Sequence, residues 1–141
     1  MVLIYWRVGE ILGKRINWFE DIICVMRVAV SSTGKTMESE VDIRFSQCPY
    51  FIFLDIEKGK IKESSWVKNP GAGLLVGAGP AAAELMGREK IDVVITGSIL
   101  DEAYIILKQL GIKVYRGLGK VSEAVEKFID GKLERIEKKT E

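Results

Sequence analysis

A three-layer α/β/α domain built on a mixed sheet of five strands is the fold that the sequence predicts. Three observations carry that expectation. Short apolar runs are bounded by turn residues, amphipathic stretches at helical spacing separate the later runs, and one short turn reverses the chain between two extended segments.

The first 25 residues read differently from the rest. Val8, Ile11, Leu12, Ile16, Phe19, Ile22 and Ile23 recur at helical spacing, which predicts an amphipathic N-terminal extension ahead of the main domain, residues 26–141. Residues 27–31 (RVAVS) form a buried strand, and 32–40 (STGKTMESE) a polar loop, after which Val41, Ile43 and Phe45 alternate. Residues 50–56 (YFIFLDI) and 60–67 flank Glu57-Lys58-Gly59, the signature of an antiparallel hairpin, and Asn69-Pro70-Gly71 then breaks the sheet. Pro80 at a first helical position opens an alanine-rich helix through about Lys90. Residues 92–97 (DVVITG) have the near-continuous hydrophobicity of an interior parallel strand. Ser98 and Asp101 stand at capping-box spacing before a helix that Gly111 ends; residues 112–115 make another strand. Ser122 caps a last helix that Gly131 closes, and the tail from Lys132 is a solvated charge run. The first strand belongs near the centre, with the hairpin on one side and the two later strands on the other.

Composition narrows the chemistry. The chain has 141 residues, 48% of them apolar and 29% charged, enough for one compact domain. Lysine plus arginine number 21 against 20 acidic residues, so no bulk positive field exists to hold nucleic acid. The absence of histidine excludes a Ser-His-Asp triad, a Cys-His pair and every histidine metal site. Two cysteines, Cys24 and Cys48, cannot make a disulfide framework, and no apolar run approaches the roughly 20 residues of a membrane span. A cytoplasmic protein is expected, with no membrane partner.

Three motifs compete for function. Residues 29–36 (AVSSTGKT) satisfy a loose P-loop, yet the following residues alternate instead of starting a helix, and Asp92 lies at the wrong end of its strand to hold magnesium. Residues 74–82 (LLVGAGPAA) place Gly77, Gly79 and Ala82 at dinucleotide-fingerprint positions, with room for a strand of only three residues before them. A nucleotide-binding enzyme using these loops is the alternative reading. Residues 44–51 (RFSQCPYF) allow two readings: on spacing alone Phe45, Tyr50 and Phe51 read as core with Cys48 a small buried hydrophobe, while Arg44, Cys48 and the aromatics together would make a lip suited to an anionic, sulfur-rich ligand, because thiolate binds iron and arginine balances negative charge.

MRVAVSSTGK, RFSQCPYFIFLDIEKGKI, NPGAG with its glycine-rich continuation, IDVVITGSI and LKQLGIKVYRGLGKVSEAVEKFIDGKLERI follow one another in order. In these landmarks the chain resembles the dinitrogenase iron-molybdenum cofactor biosynthesis family over residues 26–137, the small domains of nitrogenase accessory proteins and of stand-alone archaeal and bacterial relatives. The resemblance implies a ribonuclease-H-like motif with a five-stranded mixed sheet, and a non-catalytic role in binding or carrying an iron-sulfur type cofactor, such as the iron-molybdenum cofactor or a precursor. Where family members often have His-Phe-Gly, this chain has Arg44-Phe45-Ser46, which removes a histidine ligand. The expected site is Cys48 as the metal ligand, Arg44 as compensating charge, and the amides around Gly71, Gly73, Gly77 and Gly79 as an anion cradle. One thiol per chain serves a cluster poorly, so the expected partners are cofactor donor or acceptor proteins, or a homodimer in which each protomer contributes Cys48.

Overall fold

Eight strands and three α-helices lie within the residues that the computed structural model describes, 25–137 together with Glu10–Ile11 and Lys14–Arg15. β1 (Glu10–Ile11) and β2 (Lys14–Arg15) form a separate antiparallel ribbon, Glu10 opposite Arg15 and Ile11 opposite Lys14. These four residues are therefore extended where the apolar spacing predicts helix. Gly9 and Gly13 each disfavour helix by about 1 kcal/mol, a term that a count of apolar positions ignores. The remaining residues of that stripe lie outside the described residues.

β3 (Val25–Ser32) is the axis of the main sheet, antiparallel to β4 (Tyr50–Glu57) and parallel to β6 (Val93–Thr96). The full order is β5-β4-β3-β6-β7-β8, with β5 (Lys60–Lys68) on one edge and β7 (Lys113–Arg116) followed by β8 (Glu134–Arg135) on the other. Val28, Ala29 and Val30 are wholly buried because both faces of β3 are covered, which is why its core reads as an unbroken apolar run. Lys58 and Gly59, both at positive φ, close the β4-β5 hairpin in two residues, a geometry that matches strand twist.

Helices α1 (Ala78–Arg88) and α2 (Asp101–Gln109) cover one face, setting Ala82, Ala83, Met86, Ala103 and Leu107 against Ala29, Phe51, Phe53, Val94 and Val114. Helix α3 (Val121–Ile129) covers the other, where Val121, Ala124 and Val125 meet Val28, Val30, Val93 and Ile95. Three layers result, as expected. Two helix starts differ from expectation because tertiary contacts replace local caps. The N-cap of α2 is Leu100, and Ser98 instead bonds Ile43 through its hydroxyl; α3 starts after Lys120, its Val121 and Ser122 amides bonding the carbonyls of Ser39 and Met37. α1 begins at Ala78, two residues before Pro80.

The sheet has six strands, not five. β8 pairs antiparallel with β7 in the tail that its charges mark as solvated. Glu134 and Arg135 are indeed exposed, but Ile136 is 4% exposed, its amide bonds the Val114 carbonyl, and Tyr104 donates its hydroxyl to the Glu137 carbonyl. One apolar residue thus anchors a charged strand. The C-terminal ends of β3, β5, β6 and β7 all face one end of the sheet, so loops 33–49, 69–77, 97–100 and 117–120 gather there. Ile136→Ala is expected to lower unfolding free energy by about 2–4 kcal/mol in denaturant titration, the cost of emptying a buried aliphatic site; a loss below about 0.5 kcal/mol, typical of surface positions, would show β8 to be incidental.

Candidate functional site

The gathered loops are stitched to the strand ends by buried hydroxyls. Ser31, at the end of β3, lies with its Oγ 2.7 Å from the Asp42 carbonyl oxygen and 2.8 Å from Thr96 Oγ1 at the end of β6. Ser31 and Thr96 are fully buried, and Asp42 is 4% exposed. Asp42 in turn holds Arg44: its carboxylate accepts the Arg44 backbone amide at 2.8 Å, Nε at 3.2 Å and Nη2 at 3.3 Å. The hydrogen bonds and charge of Asp42 push the Arg44 guanidinium pKa upward. Arg44 sits at the mouth of the loops, bridged to Ser98, but its charge is already balanced inside the chain. Ile43, between the buried Val41 and Phe45, faces outward and is 60% exposed.

Cys48 does not form the accessible lip that its sequence neighbours suggest. It is 0% exposed within the α1-side core and points its thiol at the Phe45 carbonyl, 3.5 Å away. Burial pushes the thiol pKa up to about 12, because a thiolate would lose its hydration in apolar surroundings. Such a thiol stays protonated at neutral pH.

The residue that organises this region is Asn69, half-hidden in the sequence as the first member of an Asn-Pro-Gly turn signal. It is 5% exposed. Its Nδ2 donates to the carbonyls of Cys48 at 2.8 Å and Ser46 at 3.0 Å, while its Oδ1 accepts the Gly71 amide at 2.8 Å. One carboxamide therefore joins segment 44–49 to loop 69–77. A buried amide that meets three backbone groups is worth far more than a turn residue.

The four glycines divide into different tasks. A Cβ on Gly71 would collide with the Ala78 carbonyl oxygen, so its role is close approach of two backbone segments, and its amide is taken by Asn69. The Gly73 amide donates to Gln47 Oε1 at 2.9 Å, and Gln47 Nε2 returns a bond to the Leu74 carbonyl. Gly79 lies against Ala103, where a Cβ would come within 3.3 Å, and serves the α1-α2 contact. Gly77 is the left-handed N-cap of α1. The anion cradle expected from all four thus shrinks to the first turn of α1, where the amides of Ala78 and Gly79 bond no described residue.

Neither nucleotide motif survives. Loop 33–49 follows the P-loop-like stretch with no helix, and Lys35 lies over the rings of Trp66 and Tyr50 at 4.5 and 5.5 Å. Leu74, Leu75 and Val76 are loop, not strand, so no strand feeds the fingerprint glycines. Among the described residues no three Cys, Asp or Glu side chains converge to hold a metal ion, and no helix is long and apolar enough to cross a membrane.

Two outcomes follow from Cys48 and Asn69. In a Cys24→Ser background, Cys48 should react with a thiol reagent at pH 8 about a hundred-fold more slowly in the native protein than in denaturant. Because its folded pKa of about 12 exceeds the unfolded value near 9, the protonated thiol contributes stability below pH 9 that is lost as pH rises toward 12. Wild type should lose stability above pH 9 more steeply than Cys48→Ala; identical slopes would contradict the buried thiol. Asn69→Ala should cost about 2–4 kcal/mol in denaturant titration, since it strands two buried backbone groups and a third that is partly buried; a near-neutral result would remove Asn69 as the joint.

A family model described as dinitrogenase iron-molybdenum cofactor matches residues 26–131. An uncharacterized protein of Methanocaldococcus jannaschii is 33% identical over 94 residues, 66% of this chain and 80% of that one. The apo form of the orange protein from Desulfovibrio gigas superposes with a TM-score of 0.75 at 28% identity, covering 82% of this chain and 97% of that one. The NMR structure of a Thermotoga protein described as a NifB candidate does so with a TM-score of 0.69 at 34% identity, with the same two coverages, 82% and 97%. With three quarters of its length inside the family match, and all three described helices and the loop cluster within that span, the chain belongs to the dinitrogenase iron-molybdenum cofactor family.

Proposed function

We propose that this protein is a non-catalytic carrier for a preformed metal-sulfur cofactor of the iron-molybdenum or iron-sulfur type, held at the loops on the C-terminal edge of the sheet and exchanged with donor and acceptor proteins. The observation that carries this reading is the family match over residues 26–131, joined by likeness to a protein solved in an apo form. Reducing conditions suit the free Cys48 thiol, so we place the protein in the cytoplasm. The ribonuclease-H-like kinship is part of the same proposal, supported by a hairpin that runs antiparallel to the central strand while β6 and β7 run parallel to it.

The donor set decides what kind of cofactor fits. Building a cluster on the protein takes several thiolates, and among the described residues the site supplies one thiol, sealed and protonated. A cofactor that arrives with its own sulfide ligands needs less: hydrogen-bond donors toward sulfur, an apolar surround and little net charge. The Ala78 and Gly79 amides, the Asp42-balanced Arg44 and the exposed aliphatics Ile43, Leu75, Val76, Leu100 and Leu118 meet that need. When bound, the cofactor would contribute its metal-sulfide framework for delivery; the chain's part is to hold it and limit contact with water.

Nuclease chemistry has no comparable support. Asp55 and Asp92 both engage Arg27, through its Nε and its backbone amide, at the start of β3 and away from the loop cluster. The test is anaerobic loading with a small thiolate-capped iron-sulfide cluster, followed by iron and sulfide analysis. Wild type and Cys48→Ala should both retain it, whereas an Ala78→Pro substitution, which deletes one α1 amide, should weaken retention about ten-fold in protein whose circular dichroism and denaturant midpoint match wild type. Loss of retention in Cys48→Ala alone would return the thiol to the ligand set. Micromolar binding of ATP, NAD or FAD by calorimetry would instead favour a nucleotide enzyme.

A further inference from the structure

The two edges of the main sheet are unlike. β8 is two residues long, whereas β5 runs for nine, Lys60–Lys68, and among the described residues pairs with β4 alone. All of its residues but Val67 are exposed. An edge strand turns half of its amides and carbonyls away from its neighbour, so β5 offers a row of unmade backbone hydrogen bonds to an extended chain laid beside it. Near its end Trp66 is 43% exposed, yet its ring is held: it meets Tyr50 edge-on with centroids 5.6 Å apart, and Lys35 Nζ lies 4.5 Å from its centroid. An exposed aromatic that is already ordered loses little freedom when a partner packs on it.

Charge decides which chain fits. β5 carries Lys60, Lys62 and Lys68 against one carboxylate, Glu63. Lys62 is 3.3 Å from Glu57, while Lys60 and Lys68 lie in no ion pair among the described residues. A second copy of the strand fits poorly. Antiparallel pairing about Ser64, the register in which the whole strand overlaps, sets Lys60 opposite Lys68 at both ends. Moving the centre to Glu63 sets that carboxylate opposite itself, and moving it to Ser65 sets Lys62 opposite Lys68. An acidic strand meets attraction where a second copy meets repulsion.

We propose that β5 is a docking edge that takes an extended, acidic segment of a partner protein as an added strand, with carboxylates beside Lys60 and Lys68 and an apolar side chain on Trp66. Backbone hydrogen bonds supply the hold, the lysines select acidic over basic chains, and Trp66 sets the register. β5 runs straight into Asn69, so a strand seated on this edge brings its owner next to the loop cluster. This surface goes beyond the carrier reading and needs no cofactor to form.

The test uses full-length protein and two soluble peptides, one of alternating glutamate and valine and one of alternating lysine and valine. Wild type is compared with Lys60→Glu/Lys68→Glu and with the milder Lys60→Gln/Lys68→Gln. Both lysines are exposed, so both variants should keep the circular dichroism spectrum and denaturant midpoint of wild type. At saturation the glutamate peptide should slow amide hydrogen exchange within residues 60–68 of wild type by about ten-fold, which a loose charge contact does not do. Wild type should bind it about ten-fold more tightly than the lysine peptide; charge reversal should invert that order, and the glutamine variant should bind the two alike. Unchanged exchange within 60–68, equal binding of the two peptides by wild type, or a preference that survives charge reversal would overturn the docking edge. A free wild-type dimer with residues 60–68 already protected would overturn it too, because the edge would then belong to a second copy.

Discussion

The buried carboxamide of Asn69 is the inner joint between the two halves of the site, with Gln47 bonding across the same seam at the surface. Without the bonds of Asn69 to the carbonyls of Ser46 and Cys48 and to the Gly71 amide, segment 44–49 and loop 69–77 would each need other partners for buried backbone groups. The position of α1's first turn follows from this joint, because Gly71 packs directly on the Ala78 carbonyl. The sealed state of Cys48 follows too. Asn69 Nδ2 sits 3.6 Å from its sulfur, and the thiol is enclosed by the same contacts that position the loops.

Charge at this end of the sheet is balanced locally. Asp42 neutralises Arg44, Glu38 lies 3.2 Å from Lys120, and Lys35 rests on Trp66 and Tyr50. The exposed Lys120 pair adds little stability, yet it removes a positive charge from the rim all the same. Phosphate is a hard, strongly hydrated anion that needs cations free to meet it in addition to amides, and of the described cations in loops 33–49 and 117–120 Arg44 and Lys120 are paired with carboxylates and Lys35 lies over aromatic rings. A soft anion bearing its own sulfide asks for fewer, and the aliphatic rim suits it.

Much of the fold was legible from local pattern. The near-continuous apolar runs of β3, β4 and β6 and the Lys58-Gly59 turn each report strand type directly, and the glycines after α2 and α3 report helix ends. Three misses in the main domain share a cause: in each, a distant partner outweighed a local signal. Carbonyls of the 37–39 loop took the place of a Ser122 cap, one isoleucine drew the charged tail into the sheet as β8, and Ser98 turned to Ile43. The site was legible in place but not in role. Arg44, Cys48 and the glycine loop do come together, but the thiol is buried, two of the glycine amides are already bonded, and Asn69 was hidden inside a turn signal. No pattern in one dimension distinguishes a buried cysteine from a ligand.

The central claim is that the chain carries a cofactor whose sulfur ligands are its own. It is tested most directly by X-ray absorption at the metal edge of protein isolated without air. The account predicts metal with inorganic sulfide in its coordination shell and a spectrum that Cys48→Ala leaves unaltered. A shell that changes when Cys48 is removed, or protein that emerges from anaerobic isolation free of metal and sulfide, would contradict it.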